Sequence, residues 1–178
     1  MNENPDSSGD LAAPVFVEDL FLTDVFLIKG RLQNKTKRLS NMLEDHRRSY
    51  LAVEDATLVS LRSNEVITTP KVMVNVGELV CAHELVDVAG DAAMRRLADN
   101  AKPSTIRAFY NGAVQFELGG QVEPGAYESD DVTGRRYFTM QAPRFRGIDT
   151  SQDELAVLEG LEYAIVRKDR MAYVYDFG

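Results

Sequence analysis

Apolar residues in this chain come in short runs with strand-like spacing, separated by glycine, proline and acidic punctuation. In VFLIKGRL (Val25–Leu32), Phe26, Ile28 and Leu32 fall on one face and Val25 and Leu27 on the other, which predicts a strand buried on both sides. Gly30 interrupts that run, as a bulge or barrel corner requires. A shorter run at Val15–Val17 precedes it. Tyr50–Val53 and Thr57–Leu61 read as strand on either side of Glu54-Asp55. Val66–Thr68, Val72–Ala82 and Leu85–Val88 follow, with Val72, Val74 and Val76 alternating up to Gly77. Two stretches carry a helical spacing instead. In Lys37–Leu43 the residues Leu39, Met42 and Leu43 form one apolar stripe, with Thr36 placed to cap it. Ala89–Asn100 opens at Asp91 and stops at Lys102-Pro103-Ser104.

The strand pattern returns in the second half. Gly30 answers to Gly120, and VFLIKGRL lines up with QFELGGQV; Phe16 answers to Ile106 at the same spacing of 90. Tyr50–Val53 lines up with Tyr137–Met140 at 87, and Val74–Gly77 with Val157–Gly160 at 83. Such a period predicts an internal duplication. The helix at 37–43 has no second copy; the acidic stretch Pro124–Gly134 replaces it. The expected architecture is therefore mainly β: two tandem small β-barrel-like units joined by a helix, with a short helix in the first. The boundaries are a disordered tail at 1–13, a first unit at 14–88, a helical linker at 89–102 and a second unit at 103–178.

Charge adds an asymmetry. The chain of 178 residues carries a net −8, which disfavours non-specific binding to nucleic acid or an anionic membrane. Between Lys29 and Arg48, however, seven bases face two acids, a local +5 that leaves −13 for the remainder. One cysteine, Cys81, allows no intrachain disulfide, and no apolar run is long enough to span a bilayer; both fit a cytoplasmic protein. The N-terminus, MNENPDSSGD, has no signal-peptide pattern.

The order of motifs resembles a small bacterial domain of uncharacterised function: a strand, Gly30-x-Leu32, then Arg38-Leu39-Ser40 with Leu43, then the strand Tyr50–Leu58. The outline of short strands with one short helix is also similar to SH3-like and Sm-like barrels. The resemblance covers residues 20–85. It implies a β-rich fold and no particular activity. The Asp and Asn that Sm proteins place on RNA have no counterpart between Gly30 and Tyr50.

The parts of an enzyme are not legible. His46 lies in a charged turn without an orienting partner. Cys81 and His83 share a strand face, but no second pair completes a metal site. Asp149-Thr150-Ser151 resembles the Asp-x-Ser of PilZ domains, but Asp153 and Glu154 stand where glycine is required. No catalytic, cofactor-binding or metal-ligating residue is assigned, no cofactor is expected, and the chain reads as a non-enzyme. The candidate binding residues are Lys35, Lys37, Arg38, Arg47 and Arg48 in the basic segment and the alternating Tyr173, Tyr175 and Phe177 at the C-terminus. The first set suits an acidic protein surface, which the chain's own second half could supply. The second suits strand addition to a neighbour. The expected function is that of an adaptor or structural protein that binds protein partners and self-associates as a homo-oligomer. The alternative is a regulatory module that binds RNA or an anionic nucleotide through 29–48.

Overall fold

The computed structural model describes residues 18–85, 102–128 and 134–178. The tail at 1–13, the strand at Val15–Val17 and the linker helix at Ala89–Asn100 lie outside the described residues. The fold is mainly β. The strands are β1 (Asp19–Leu22), β2 (Phe26–Leu32), β3 (Tyr50–Ser60), β4 (Val66–Asn75), β5 (Cys81–Glu84), β6 (Ser104–Asn111), β7 (Gln115–Val122), β8 (Tyr137–Arg146), β9 (Tyr163–Arg167) and β10 (Tyr173–Asp176). One α-helix, α1 (Leu39–Leu43), lies between β2 and β3.

All described strands join one open antiparallel sheet in the order β10-β6-β7-β8-β9-β5-β1-β2-β3-β4. The two halves expected from the sequence meet edge to edge in this one sheet, β5 against β9, with Cys81 opposite Val166 and Ala82 opposite Ile165; the helix expected between them lies outside the described residues.

The strand pairing recurs between the two halves. The order β5-β1-β2-β3-β4 in the first half is the order β10-β6-β7-β8-β9 in the second. Registers agree pair by pair. Asp19↔Gly30 corresponds to Ile106↔Gly120, and Lys29↔Thr57 to Gly119↔Arg144. Tyr50↔Asn75 corresponds to Tyr137↔Arg167, and Leu22↔Cys81 to Phe109↔Tyr173. The alignments Gly30–Gly120 and Tyr50–Tyr137 hold. Two others do not. Ile106 answers to Asp19 and not to Phe16, which lies outside the described residues. The 3-10 turn Val76–Glu78 that leads into β5 answers to the turn Lys168–Arg170 that leads into β10. Val157–Gly160 belongs to a 3-10 turn between β8 and β9. The error arose because β4 is twice as long as β9, so a gap had to be placed where no sequence signal marks it.

Both halves bend at the same place for the same reason. β2 shifts register between Lys29 and Arg31, and β7 between Gly119 and Gln121. A Cβ on Gly30 would lie 2.7 Å from the Glu54 carbonyl oxygen, and one on Gly120 would lie 2.7 Å from that of Gln141. Opposite each bulge a non-glycine residue takes a left-handed backbone, Asp55 (φ 49°) and Ala142 (φ 46°). The sequence read Glu54-Asp55 as a break between two strands; β3 instead runs through it with a kink. Because the obstructing atom is backbone, Gly30→Ala is expected to destabilise the protein by about 1–3 kcal/mol, measured as a lower urea midpoint. An unchanged midpoint would show that the bulge tolerates a side chain.

The central strands carry one core on each face. In β1, Leu20 and Leu22 enter a cluster with Ile106, Leu118, Met140 and Val166 of the second half. Phe21, between them in sequence, enters the other cluster with Ile28, Leu51, Val53 and the α1 residues Leu39, Met42 and Leu43. β2 divides likewise: Leu27 belongs to the first core, and Ile28 and Leu32 to the second. Burial on both faces was thus legible in Val25–Leu32. The helix starts two residues later than expected. Arg38 stands at its N-cap without a side-chain cap, and the Glu84 carboxylate accepts from the Leu39 N–H at 2.7 Å.

Candidate functional site

The basic segment is spent largely inside the molecule. Lys35 turns inward, its Nζ 2.6 Å from Asp19 and 2.9 Å from Glu84, with both carboxylates on the inner strand pair β1·β5. Burial pushes the Asp19 carboxyl up to about 6, against the pull of Lys35 and with the adjacent Glu84 charge adding to the rise. Arg31 pairs with Asp55. Arg47 and Arg48 flank Asp45 at 3.3 and 3.5 Å, and the Arg47 backbone N–H, foremost, holds that carboxyl below its ordinary range. Lys37 and Arg38 stand exposed at the start of α1. Sequence reasoning grouped these bases by proximity along the chain; of the five candidates, Lys35 is turned to buried carboxylates, whereas Lys37, Arg38, Arg47 and Arg48 lie at the surface.

The joint between the halves is knit by polar clamps as well as by the β5·β9 ladder. The Glu44 carboxylate, at the end of α1, accepts from the backbone N–H groups of Arg136 and Tyr137, each at 3.0 Å. The Arg136 guanidinium donates back to the Leu43 carbonyl. Arg167 donates to the Val76 carbonyl and pairs with Asp169, which lies below its usual range on account of that pairing. Arg170 bridges Asp24 at 3.6 Å and Glu78 at 3.7 Å.

The C-terminal aromatics form a strand, as expected, and that strand is an outer edge of the sheet. Tyr175 meets Phe109 edge-on at 5.8 Å, and the Arg107 guanidinium lies 5.5 Å over the Phe177 ring. Beside them runs a groove of about 460 Å³ with Arg107 and Arg144 on either side of Gly119, Arg146 further along β8, and Phe177 at its wall. Gly119 pairs with Arg107 on β6 and with Arg144 on β8, so the residue without a side chain leaves the floor open between two cations. This arrangement suits an anion that carries a flat ring. Sequence reasoning missed it, although the alternation of Arg144 and Arg146 in QAPRFR was its one visible sign; Arg107 reaches it only through the β6–β7–β8 pairing.

The remaining sequence candidates lie apart from the groove and the edges of the sheet. Cys81 is buried and burial pushes its thiol up to about 12, so it holds no thiolate at neutral pH. His83 packs on the Tyr163 ring at 4.4 Å. His46 is exposed. Asp149 accepts from the backbone N–H and the hydroxyl of Ser151, a local turn. Among the described residues no group of three or more His, Cys, Asp or Glu is placed to hold a metal ion, and no helix is long and apolar enough to cross a membrane.

The large apolar side chains exposed among the described residues are Val25, Tyr50, Val66, Ile67, Met73, Tyr173, Tyr175 and Phe177. All but Val25 lie along the two outer borders of the sheet, on or beside β4 and on or after β10. The two edges are the second candidate site. Comparisons with protein-family models, curated proteins and solved structures return no match.

Proposed function

We propose that this chain is a non-enzymatic structural or adaptor subunit of the bacterial cytoplasm, which presents sheet edges to protein partners and self-associates. The observation that carries this reading is that, of the large apolar side chains exposed among the described residues, all but Val25 lie along the two outer borders of the sheet. Unpaired edge strands are templates for strand addition, and a long one flanked by apolar side chains is normally blunted. β4 is blunted only at its middle, by Pro70 and Lys71, and its C-terminal half ends Val72-Met73-Val74-Asn75. β10 carries Tyr173, Val174 and Tyr175 without an intervening charge. The finer picture of the halves as two small barrels is part of this proposal. It is supported by their shared strand order and by a bend at Gly30 and Gly120 alike.

The test is solution mass by light scattering at low and high salt. A head-to-tail contact between a basic and an acidic patch would be salt-sensitive. An edge contact made of backbone hydrogen bonds and apolar side chains is expected to survive high salt, because ions do not screen uncharged contacts. A monomer at every concentration would remove self-association and leave only the adaptor half of the reading.

A second reading has its own observation. The groove between Arg107, Arg144, Arg146 and Phe177 has the cations and the aromatic wall that binding RNA or an anionic nucleotide needs, at a different place from the segment 29–48. If that reading holds, Arg107→Ala with Arg144→Ala is expected to weaken binding of a labelled oligoribonucleotide at least tenfold, while Lys37→Glu with Arg38→Glu has a smaller effect. Equal losses in both variants would return the site to the basic segment.

A further inference from the structure

The two outer edges are the counterparts of the two strands that already pair inside the molecule. β4 corresponds to β9 and β10 to β5, and β9 and β5 are hydrogen-bonded neighbours. The internal joint therefore displays what each free edge would look like when covered. Met73, 54% exposed on β4, corresponds to Ile165, 5% exposed at the joint; Tyr50, also 54%, corresponds to Tyr137 at 4%. Tyr173, 70% exposed on β10, corresponds to Cys81 at 1%. Tyr175 corresponds to His83, which is buried. At each of these positions the copy inside the joint is buried and the copy at the edge is a large apolar side chain left in water.

Backbone groups agree. At the joint the Arg167 N–H donates to the Val80 carbonyl at 3.0 Å, and the Val80 N–H donates to Leu22. The corresponding Ala172 N–H donates to Phe109 at 2.8 Å, as Val80 donates to Leu22, so by correspondence the Ala172 carbonyl takes the place that the Val80 carbonyl has at the joint. On β4, the counterpart of Arg167 is Asn75. The residue after it, Val76, donates to Ser49, as Lys168 donates to Arg136, so the Asn75 N–H faces outward.

We infer that the partner at these edges is a second copy of this chain, joined head to tail, with β4 of one copy antiparallel to β10 of the next and Met73 opposite Val174 and Val74 opposite Tyr173. This rests on the self-associating reading above and names its geometry. The Asn75 N–H then donates to Ala172 of the neighbouring copy. Such a contact uses different surfaces on the two copies, so it repeats until it closes as a ring or continues as a filament. Pro70 fits the scheme: it limits pairing to the end of β4, as the β5·β9 ladder is itself short. The reverse face of the second half remains open in this assembly. At the joint the corresponding positions are the apolar Leu20, Leu27 and Val59, whereas beside β10 they are Arg107, Glu117 and Arg146.

The test is disulfide trapping between copies. Opposed antiparallel residues have Cα atoms within disulfide range. Met73→Cys and Val174→Cys are made as single variants and as a double variant; Cys81 stays in place, since its buried thiol is unreactive. Mixing the two single variants under mild oxidation is expected to give a cross-linked dimer on a non-reducing gel, and the double variant a ladder of multiples. Neither single variant alone should cross-link through its new thiol. Cross-linking of Val174→Cys with itself would mean a symmetric β10–β10 contact and would overturn the inference. Absence of cross-links from the mixture, with the unmodified chain still oligomeric by light scattering, would overturn this joint while leaving self-association intact. Absence of both would remove the joint and self-association together. In a second measurement, Met73→Lys places a charge at the joint and should weaken association at least tenfold without lowering the urea midpoint of the monomer; unchanged association would count against β4 as an edge in contact.

Discussion

Replacing Lys35 with methionine is expected to destabilise the protein by about 3–5 kcal/mol at pH 8, the usual result of removing one partner from a buried ion pair. Asp19 is fully buried on β1 between β2 and β5, and Lys35 is the cation that neutralises it together with Glu84. The sign of the pH dependence follows from Asp19. Its pKa is about 6 in the folded chain against an ordinary 3.8, so the folded state binds the proton more tightly than the unfolded chain does. The stability this group contributes is complete below about 3.8 and is lost as pH rises through 6, a swing of about 3 kcal/mol for a shift of this size. Without Lys35, two of the causes that lower the Asp19 pKa disappear, so the proton is held more strongly still. The loss in the variant should therefore be large at pH 8 and clearly smaller at pH 5, where Asp19 is protonated and no longer a buried charge. Urea midpoints of both proteins at the two pH values measure this. A loss of the same size at both pH values would mean that Lys35 acts through packing of its alkyl stem and not through charge.

Phe21→Ala should cost about 3–5 kcal/mol as well, because it empties the site of a fully buried aromatic on a central strand. The more telling part is where the loss is felt. Leu20 and Leu22, on either side of Phe21, belong to the core of the second half, so β1 is shared between the two clusters. Hydrogen exchange should show the amides of β6, β7 and β8 losing protection together with those of β1, β2 and β3, in one cooperative transition. If only the first half exchanges faster, the halves fold as independent units, and the shared sheet contributes little to either.

Much of the local structure was legible because strands announce themselves through burial. Val25–Leu32 reads as buried on both faces, and β2 is, through Leu27 on one face and Ile28 and Leu32 on the other; Val25, before the strand, is exposed. Leu39, Met42 and Leu43 read as one helical stripe and pack into one core. Gly30 and Gly120 read as equivalent bends, and each is forced by a carbonyl oxygen across the ladder. The misreadings occurred where tertiary contacts overrule the local pattern. The polar pair Glu54-Asp55 reads as a break, but β2 and β4 hold β3 continuous through it. In Val72–Ala82 the break that the sequence marks at Gly77 is a turn between β4 and β5, where the Asn75 side chain accepts the Gly77 N–H. Thr36 reads as the cap of α1, yet the acceptor comes from Glu84, distant in sequence.

The sites divide along the same line. The alternation of Tyr173, Tyr175 and Phe177 could be read directly, since a strand's period places alternate residues on one face; that this strand is an exposed edge could not. The inward turn of Lys35 could not, because charge counted along a chain carries no direction. Lys35 is drawn inward by two carboxylates on β1 and β5, and Arg107, Arg144 and Arg146 gather in a groove from strands that are neighbours only in the sheet. The sequence by itself determined that the chain is rich in strand and bent at two glycines, because periodicity and backbone sterics are local. Only the tertiary structure decided that the two halves share one sheet, which edges remain open and which charges are already neutralised, because hydrogen-bond ladders and ion pairs are set by neighbours in space.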